Sequence, residues 1–247
     1  MPFKKHVPNI ITLLNLACGL VALVYAFNTY WPMAFLWVSL GIFFDFWDGF
    51  FARILKVPSA IGLQLDSLAD MVTSGVVPGM VMFQMLVGIA DNQEEANLSA
   101  NNFYLGMLPY AGFIITLASC YRLAKFNVDT RQTESFIGLP TPANALFIMS
   151  LPVILAHSDG DSFIFSFLSN PYVLIGISIL SAFMLNAEIP LFSLKIKYFN
   201  WETNKLQFIF LIVSILILFA LQYLAVPVII LFYVALSAIN NKFWAKA

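Results

Sequence analysis

The sequence predicts an all-α protein, a polytopic bundle of about eight transmembrane helices with both termini in the cytoplasm. Three observations predict this fold. Of the 247 residues, 61% are hydrophobic and only 10% are charged, whereas soluble domains have about 25% charged residues. Apolar segments recur at the length of roughly 17–25 residues that crosses a bilayer. All 12 Lys and Arg residues fall on one side of the resulting topology, as the positive-inside rule requires.

The spans are separated by polar or proline-containing connectors. Their limits are about 9–28, 31–55, 60–89, 103–126, 140–157, 171–188, 206–223 and 226–241. A connector at Pro58 joins the second and third spans, and further connectors occupy 90–102, 157–170 and 195–205. The last two spans form a tight pair around Pro227, for which a re-entrant hairpin is the alternative to two full crossings.

The chain is expected to form one integral-membrane domain over residues 1–247. Its catalytic core is predicted over about 7–190, and 191–247 is predicted to add a helical hairpin. With the N-terminus in the cytoplasm, the opposite loops have no Lys or Arg and contain five acidic residues: Asp91, Glu94, Glu95, Asp159 and Asp161. This asymmetry fixes the predicted orientation.

A polar stripe interrupts the second span. Five small or charged residues lie at offsets 0, 3, 4, 7 and 8, which is one face of an α-helix: Asp45, Asp48, Gly49, Ala52 and Arg53. A second stripe, with a spacing of four, follows in the third span: Gly62, Asp66 and Asp70. Helices joined by a short connector are antiparallel neighbours, so we expect the two acidic faces to meet.

Four carboxylates in two membrane helices need compensation. Each costs about 2.5–3.5 kcal/mol at the membrane centre, and four approach the whole net stability of a typical domain, about 5–15 kcal/mol. Arg53 could neutralise one charge. A divalent cation would offset the largest part of this free-energy cost, because carboxylate oxygens are the ligands that Mg²⁺ and Mn²⁺ prefer. The small residues Gly49, Ala52 and Gly62 could open space for a ligand or allow close helix packing.

The complete spacing resembles the signature of a known family. It reads Asp45-x2-Asp48-Gly49-x2-Ala52-Arg53-x8-Gly62-x3-Asp66-x3-Asp70, which is similar to the signature of the CDP-alcohol phosphotransferases. The resemblance implies a membrane-embedded enzyme that moves a phosphatidyl-type group from a CDP-linked lipid to an alcohol and releases CMP. It implies that Asp45, Asp48 and Asp66 bind a divalent metal, Mg²⁺ or Mn²⁺. Asp70 would complete the metal-binding cluster and act as the general base.

The same resemblance implies residues that hold the cytidine diphosphate. These are Gly49, Ala52 and Arg53, to which we add Gly62 and Thr12 as candidate CDP- or phosphate-binding residues. Thr12 belongs to a polar stripe on the first span that fills an arc of roughly 120°: Asn9, Thr12, Asn15 and Gly19. This stripe could approach the nucleotide site or could hold helices together, and the sequence leaves both possibilities open.

Two stretches bear on the acceptor alcohol. "PNIITLLN" begins at residue 8, and "YRLAKFNVDTRQTESFIGLPTPANA" covers 121–145. Both resemble the phosphatidylserine synthase branch of the family, which implies transfer to the hydroxyl of L-serine. Arg122 and Asn127 are therefore candidates to contact the acceptor or a lipid phosphate, although positive-inside anchoring also explains the charges here. Lys125 stands where that branch has arginine, and it lacks the bidentate geometry of a guanidinium.

The expected partners are CDP-diacylglycerol, L-serine, membrane lipids and a second copy of the chain, and no nucleic acid is expected. The resemblance implies the bacterial cytoplasmic (inner) membrane, with the active site near its cytoplasmic side. One alternative is the same fold acting on glycerol 3-phosphate or an inositol derivative. An ion-coupled transporter would be expected to have inverted repeats, which the sequence does not display. His6 and His157 are isolated, which argues against a zinc site.

Overall fold

The computed structural model of the chain describes residues 6–57, 59–96, 106–129, 136–192 and 204–244. Several of the sequence predictions fall outside these ranges: those for Pro58, for connector residues 97–102, for Arg131 and for connector residues 195–203.

The described residues form helices almost throughout. The first half contains α1 (His6–Phe27), α2 (Trp31–Ile54), α3 (Ala60–Asp70), a π-helical turn (Met71–Val76) and α4 (Val77–Ala96). The second half contains a 3₁₀ turn (Leu108–Gly112), α5 (Phe113–Val128), β1 (Phe136–Ile137), α6 (Thr141–His157), α7 (Phe163–Leu168), α8 (Pro171–Asn186), β2 (Pro190–Leu191), α9 (Lys205–Leu221), a second 3₁₀ turn (Gln222–Leu224) and α10 (Ala225–Trp244).

Within the described residues, four helical stretches are long and apolar enough to cross a membrane: His6–Phe27, Trp31–Ile54, Ala60–Ala90 and Lys205–Asn240. Two shorter helices, Thr141–His157 and Pro171–Asn186, are also apolar. The all-α fold and its membrane-spanning character, predicted from the sequence, are therefore confirmed.

Two predicted connectors contain helical residues. The third apolar span, Ala60–Ala90, ends where the sequence predicted, but helix α4 continues to Ala96, into the predicted connector 90–102. Residues 90–96 stay helical because they contain no Gly or Pro and include Ala, Gln and Glu, which are good helix formers. The predicted connector 157–170 contains the short helix α7. Ser162 caps that helix, since its Oγ accepts a hydrogen bond of 3.1 Å from the Phe165 N–H.

The main hydrophobic core lies at the end of the bundle away from the aspartates. Helices α1 and α2 form a hairpin that turns at Thr29, where φ is +59°. Small, fully buried residues let these two helices approach closely: Ala22, Ala26 and Ala34. Larger side chains from α4 and α6 complete this core, among them Met82, Ile148 and Met149.

The π-helical turn packs against α1 and α2 just beyond Asp70. The Thr73 side chain is fully buried. A Cβ added at Gly19 would collide with Thr73 Oγ1, and one added at Gly41 would lie 2.7 Å from Thr73 Cγ2. Glycines in α1 and α2 therefore allow the close approach that brings Asp70 against α1.

The C-terminal hairpin, α9 and α10, has two unlike helices. The chain reverses at Gln222, where φ is +46°, and the Phe210 ring centroid lies 5.7 Å from that of Tyr233. Helix α9 has no buried residue. Helix α10 turns Tyr233 and Ser237 into the protein, so it is α10 that packs on the rest of the bundle.

Candidate metal and nucleotide site

The two acidic stripes lie together. Asp45 and Asp48 from α2 and Asp66 from α3 each offer a carboxylate oxygen, and these oxygens all lie within 4.8 Å of one another. Asp70, one helical turn after Asp66, is buried and interacts electrostatically with Asp45 and Asp66. The helical spacing read from the sequence thus places four carboxyl groups in one cluster.

Helix α1 supplies hydrogen bonds to this cluster. The Thr12 hydroxyl donates to Asp48 Oδ2 at 2.5 Å, and the Asn15 amide donates to Asp70 Oδ1 at 3.1 Å. Farther along the same stripe, Gly19 lies against Thr73. The polar stripe of α1 therefore contributes both to the site and to helix packing. Asn15 was not among the predicted site residues, although the stripe that contains it was visible in the sequence.

A cavity of about 190 Å³ opens beside the aspartates. Four of the five predicted CDP- or phosphate-binding residues line it: Thr12, Gly49, Ala52 and Gly62. Asp48 and Asp66 form part of its wall. The structure adds Asn9 and Ser59 to the lining, of which only Asn9 belonged to a predicted stripe.

The two cavity glycines differ in the space around them. A Cβ at Gly49 would meet only Arg53 Nη1, at 3.8 Å, whereas a Cβ at Gly62 would lie 3.0 Å from Ser59 Oγ and 3.2 Å from Asn9 Oδ1. Close helix packing therefore does not explain Gly49. Its missing side chain instead widens the cavity next to Asp48.

Arg53 does not neutralise the acidic cluster. Its side chain is exposed, and it reaches the edge of the cavity beside Gly49. Among the residues that the structure describes, the one ion pair within 4.0 Å joins Lys125 to Glu188, at 3.3 Å. The possibility that Arg53 neutralises one of the aspartates is therefore wrong for this structure.

The donor set of the cluster fits a hard divalent cation. Its three converging ligands are carboxylates, and no described cationic side chain forms an ion pair with them. Mg²⁺ and Mn²⁺ prefer oxygen ligands, so Asp45, Asp48 and Asp66 could hold such an ion.

The two predicted acceptor residues both lie on α5. Arg122 is only 7% exposed, its guanidinium lies 5.9 Å from the Phe126 ring centroid, and its Nε has no hydrogen-bond partner among the described residues. Asn127 contacts Ser67 of α3, with its Nδ2 donating to Ser67 Oγ at 2.9 Å.

Comparison with known proteins relates this chain to lipid-synthesising enzymes. It is 32% identical over 161 residues to the CDP-diacylglycerol–serine O-phosphatidyltransferase of Bacillus subtilis (strain 168), which covers 62% of this chain and 81% of that protein. It is 33% identical over 144 residues to the enzyme of the same name from Helicobacter pylori (strain J99 / ATCC 700824), covering 58% and 55% of the two chains. The chain therefore spans only about half the length of that second relative.

A third relative has a different lipid in its name. Over 175 residues the chain is 26% identical to the archaetidylserine synthase of Methanothermobacter thermautotrophicus, covering 70% of this chain and 65% of that protein. The family model described as CDP-alcohol phosphatidyltransferase matches residues 5–184, which is more than half of the chain and includes the four aspartates. The chain therefore belongs to the CDP-alcohol phosphatidyltransferase family.

Proposed function

We propose that this protein transfers the phosphatidyl group of CDP-diacylglycerol to the hydroxyl of L-serine, giving phosphatidylserine and CMP. The observation that carries the proposal is the carboxylate cluster in the wall of a cavity lined by small residues, in a chain of this family. L-Serine is supported as the acceptor by relatives whose names specify serine or a serine lipid.

The nucleotide end of the donor would occupy the cavity. Thr12, Ala52 and Gly62 line its wall, and Gly49 leaves space beside Asp48. The exposed Arg53 guanidinium lies next to Gly49 and would contact a phosphate at the cavity edge, where a charge-assisted bond is favourable. The acyl chains of the donor would remain in the surrounding lipid.

The residues of the acidic cluster would have two tasks, metal binding and proton acceptance. Asp45, Asp48 and Asp66, with Asp70 beside them, would hold a divalent cation, which when bound stabilises negative charge on the diphosphate oxygens. Asp70, oriented by the Asn15 amide, would accept the proton of the serine hydroxyl. The hydroxyl oxygen then bonds to the phosphorus that carries diacylglycerol, the bond to the bridging oxygen breaks, and CMP leaves.

Arg122 and Asn127 would define the acceptor side. A guanidinium binds a carboxylate through two parallel hydrogen bonds, and Arg122 Nε has no hydrogen-bond partner among the described residues. We therefore assign Arg122 to the carboxylate of serine. Asn127, held by Ser67, would border the acceptor or a lipid phosphate.

The membrane arrangement is part of the same proposal. The chain would cross the bacterial inner membrane eight times as one domain, with a core over about 7–190, both termini in the cytoplasm and the site near the cytoplasmic face. The distribution of Lys and Arg supports this orientation. A homodimer is proposed as well, and helix α9, which has no fully buried residue, offers an apolar face to lipid or to a second copy.

The decisive experiment measures CMP release from CDP-diacylglycerol by the purified protein in detergent. Mg²⁺ or Mn²⁺ is supplied, and L-serine, glycerol 3-phosphate and inositol phosphate are added one at a time. We expect turnover with L-serine that stops when the metal is chelated. Turnover with glycerol 3-phosphate and none with L-serine would contradict the proposed acceptor while leaving the reaction class intact.

A further inference from the structure

The segment that begins at Asp70 is attached to α1 at two points, and both attachments are made to Asn15. The Asn15 amide Nδ2 donates a hydrogen bond of 3.1 Å to Asp70 Oδ1. Farther along the segment, the Thr73 hydroxyl donates a hydrogen bond of 3.2 Å to the Asn15 carbonyl oxygen. Residues three apart in a helix lie on one face, so Asp70 and Thr73 can reach the same residue of α1. The two bonds fix this face of the segment against α1.

Thr73 is enclosed where it makes this bond. Its side chain is fully buried. A Cβ at Gly19 of α1 would collide with Thr73 Oγ1, and a Cβ at Gly41 of α2 would lie 2.7 Å from Thr73 Cγ2. The hydroxyl is therefore enclosed by α1 and the methyl group by α2, and these contacts hold the Thr73 side chain in one orientation.

The position of the Asn15 amide depends on where the main chain of Asn15 lies. Asn15 is fully buried, and its Oδ1 has no hydrogen-bond partner among the described residues. The polar contact that orients the amide is therefore the bond from Nδ2 to Asp70. A shift of the Asn15 main chain would move this donor away from Asp70, and the Thr73 hydroxyl opposes such a shift.

We propose that Thr73 is a positioning residue, which acts through Asn15 to hold the Asp70 carboxylate where it can accept the proton of the acceptor hydroxyl. Thr73 itself would touch no reacting atom. The π-helical form of Met71–Val76 supports this role, because π-helical turns inside helices occur frequently at functional sites. The inference rests on the proposed function, since it takes Asp70 to be the general base.

The test compares Thr73→Val with the wild type in the CMP-release assay, with L-serine and CDP-diacylglycerol varied separately. Valine keeps the shape of threonine but cannot donate to Asn15. We expect kcat to fall about tenfold, because a small displacement of a catalytic group lowers the rate strongly. The KM for CDP-diacylglycerol should stay within about twofold. The kcat is normalised to the fraction of protein that binds CDP, so that unfolded protein does not count as a loss of rate.

Thr116→Val is the matched control. The Thr116 hydroxyl donates to the Gly75 carbonyl oxygen at 2.9 Å, so it also attaches the π-helical turn to a neighbouring helix, in this case α5. Its substitution should lower the thermal unfolding temperature but leave the normalised kcat unchanged. An equal fall in kcat in Thr73→Val and Thr116→Val would show a merely structural role and would overturn the inference.

Thr73→Ser separates the hydroxyl from the methyl group. Serine keeps the donor to Asn15, so its kcat should stay within about threefold of the wild-type value. If Thr73→Val is too unstable to purify, Thr73→Ala takes its place, because alanine and serine both lack the methyl group and differ in the hydroxyl alone. Equal kcat values for the serine variant and the variant without a hydroxyl would contradict the proposed role.

A double-mutant cycle with Asn15→Leu tests whether Thr73 acts through Asn15. Leucine has a similar shape and cannot donate to Asp70. In the Asn15→Leu background, Thr73→Val should lower kcat by less than about twofold, because substitutions that act through the same contact are not additive. A further loss as large as that in the wild-type background would mean that Thr73 does not act through Asn15, and the inference would be wrong.

The identity of the acceptor is tested separately. If the wild type used another alcohol instead of L-serine, the serine assignment would fail by itself. The kcat comparison between Thr73→Val and Thr116→Val, made with that alcohol, would then decide the role of Thr73, because any acceptor hydroxyl must lose its proton. An unchanged kcat of Thr73→Val with that alcohol would reject it.

Discussion

The donor side and the acceptor side of the site are built in different ways. The donor side uses Thr12 and Asn15 of α1 with the two acidic stripes of α2 and α3, so its residues come from consecutive helices. The proposed acceptor side consists of Arg122 and Asn127 of α5, and Asn127 contacts Ser67 of α3, which lies sixty residues earlier in the chain. Local helical spacing determines the first arrangement, whereas the second depends on how distant helices pack.

Electrostatics separates the two sides further. The proposed donor side contains four carboxyl groups, and none of them forms an ion pair with a described cationic side chain. This side therefore fits a metal ion. The proposed acceptor side has one buried guanidinium, that of Arg122, whose Nε has no hydrogen-bond partner among the described residues, and it therefore fits a small anion. Substitutions on one side should leave binding to the other side intact, and each prediction below tests that separation.

The largest effect is expected for Asp70→Asn. An amide cannot accept the acceptor proton, so CMP release should fall at least about 100-fold, as for the loss of a general base. CDP binding should be largely retained and can be measured by calorimetry with Mn²⁺ present. Asp161→Asn, in an exposed position outside the cluster, is the charge-matched control, and full activity of Asp70→Asn would remove Asp70 from the mechanism.

Arg122→Lys should have the next largest effect. Lysine keeps the charge but loses the bidentate geometry, so the KM for L-serine should rise about 10- to 100-fold, from a loss of roughly 1.5–3 kcal/mol for hydrogen bonds to a charged group. The KM for CDP-diacylglycerol should remain near the wild-type value. Equal increases in both KM values would show that the two sides are not separate.

Gly49 and Gly41 both lie on α2, but we expect them to have different roles. Gly49 leaves space for a ligand, whereas Gly41 allows close helix packing. Gly49→Ala should raise the KM for CDP-diacylglycerol about tenfold by filling the cavity, and helix propensity should stabilise the fold by up to about 1 kcal/mol. Gly41→Ala should instead destabilise by about 1–3 kcal/mol through overpacking, because its Cβ would lie 2.7 Å from Thr73 Cγ2 and 2.9 Å from Asn15 Oδ1.

To check this contrast between Gly49 and Gly41, the thermal unfolding temperature and the KM for CDP-diacylglycerol are measured for both variants. Both substitutions add one methyl group to α2, so the comparison holds the chemical change constant. A stable Gly49→Ala variant with an unaltered donor KM would mean that the donor does not approach Gly49.

The smallest effect is expected for Lys125→Met. Lys125 lies one turn after Arg122 but pairs with the exposed Glu188, and exposed ion pairs contribute only about 0–1 kcal/mol. The equilibrium constant for unfolding should therefore change by less than about fivefold, and the KM for L-serine should stay near the wild-type value. A rise in the KM for serine as large as that of Arg122→Lys would place Lys125 in the acceptor subsite.

Much of the donor side could be predicted from the sequence because an α-helix has a fixed period. Offsets of three and four residues put Asp45 and Asp48 on one face, and the spacing of four does the same for Asp66 and Asp70. The short connector then predicts that these faces meet. Asn15 could be recognised in the sequence only as one member of a polar stripe. Its hydrogen bond to Asp70 could not be predicted.

The sequence by itself determined the class of the fold, the approximate limits of its helices and the acidic cluster, because composition and helical period are local properties of the chain. Tertiary structure alone decided that Arg53 stays at the cavity edge, that Asn15 reaches Asp70 and that α10 turns inward while α9 does not. It also brought Asn127 to Ser67. These contacts join residues far apart in the chain, and they depend on which apolar faces pack together, a choice that no local pattern encodes.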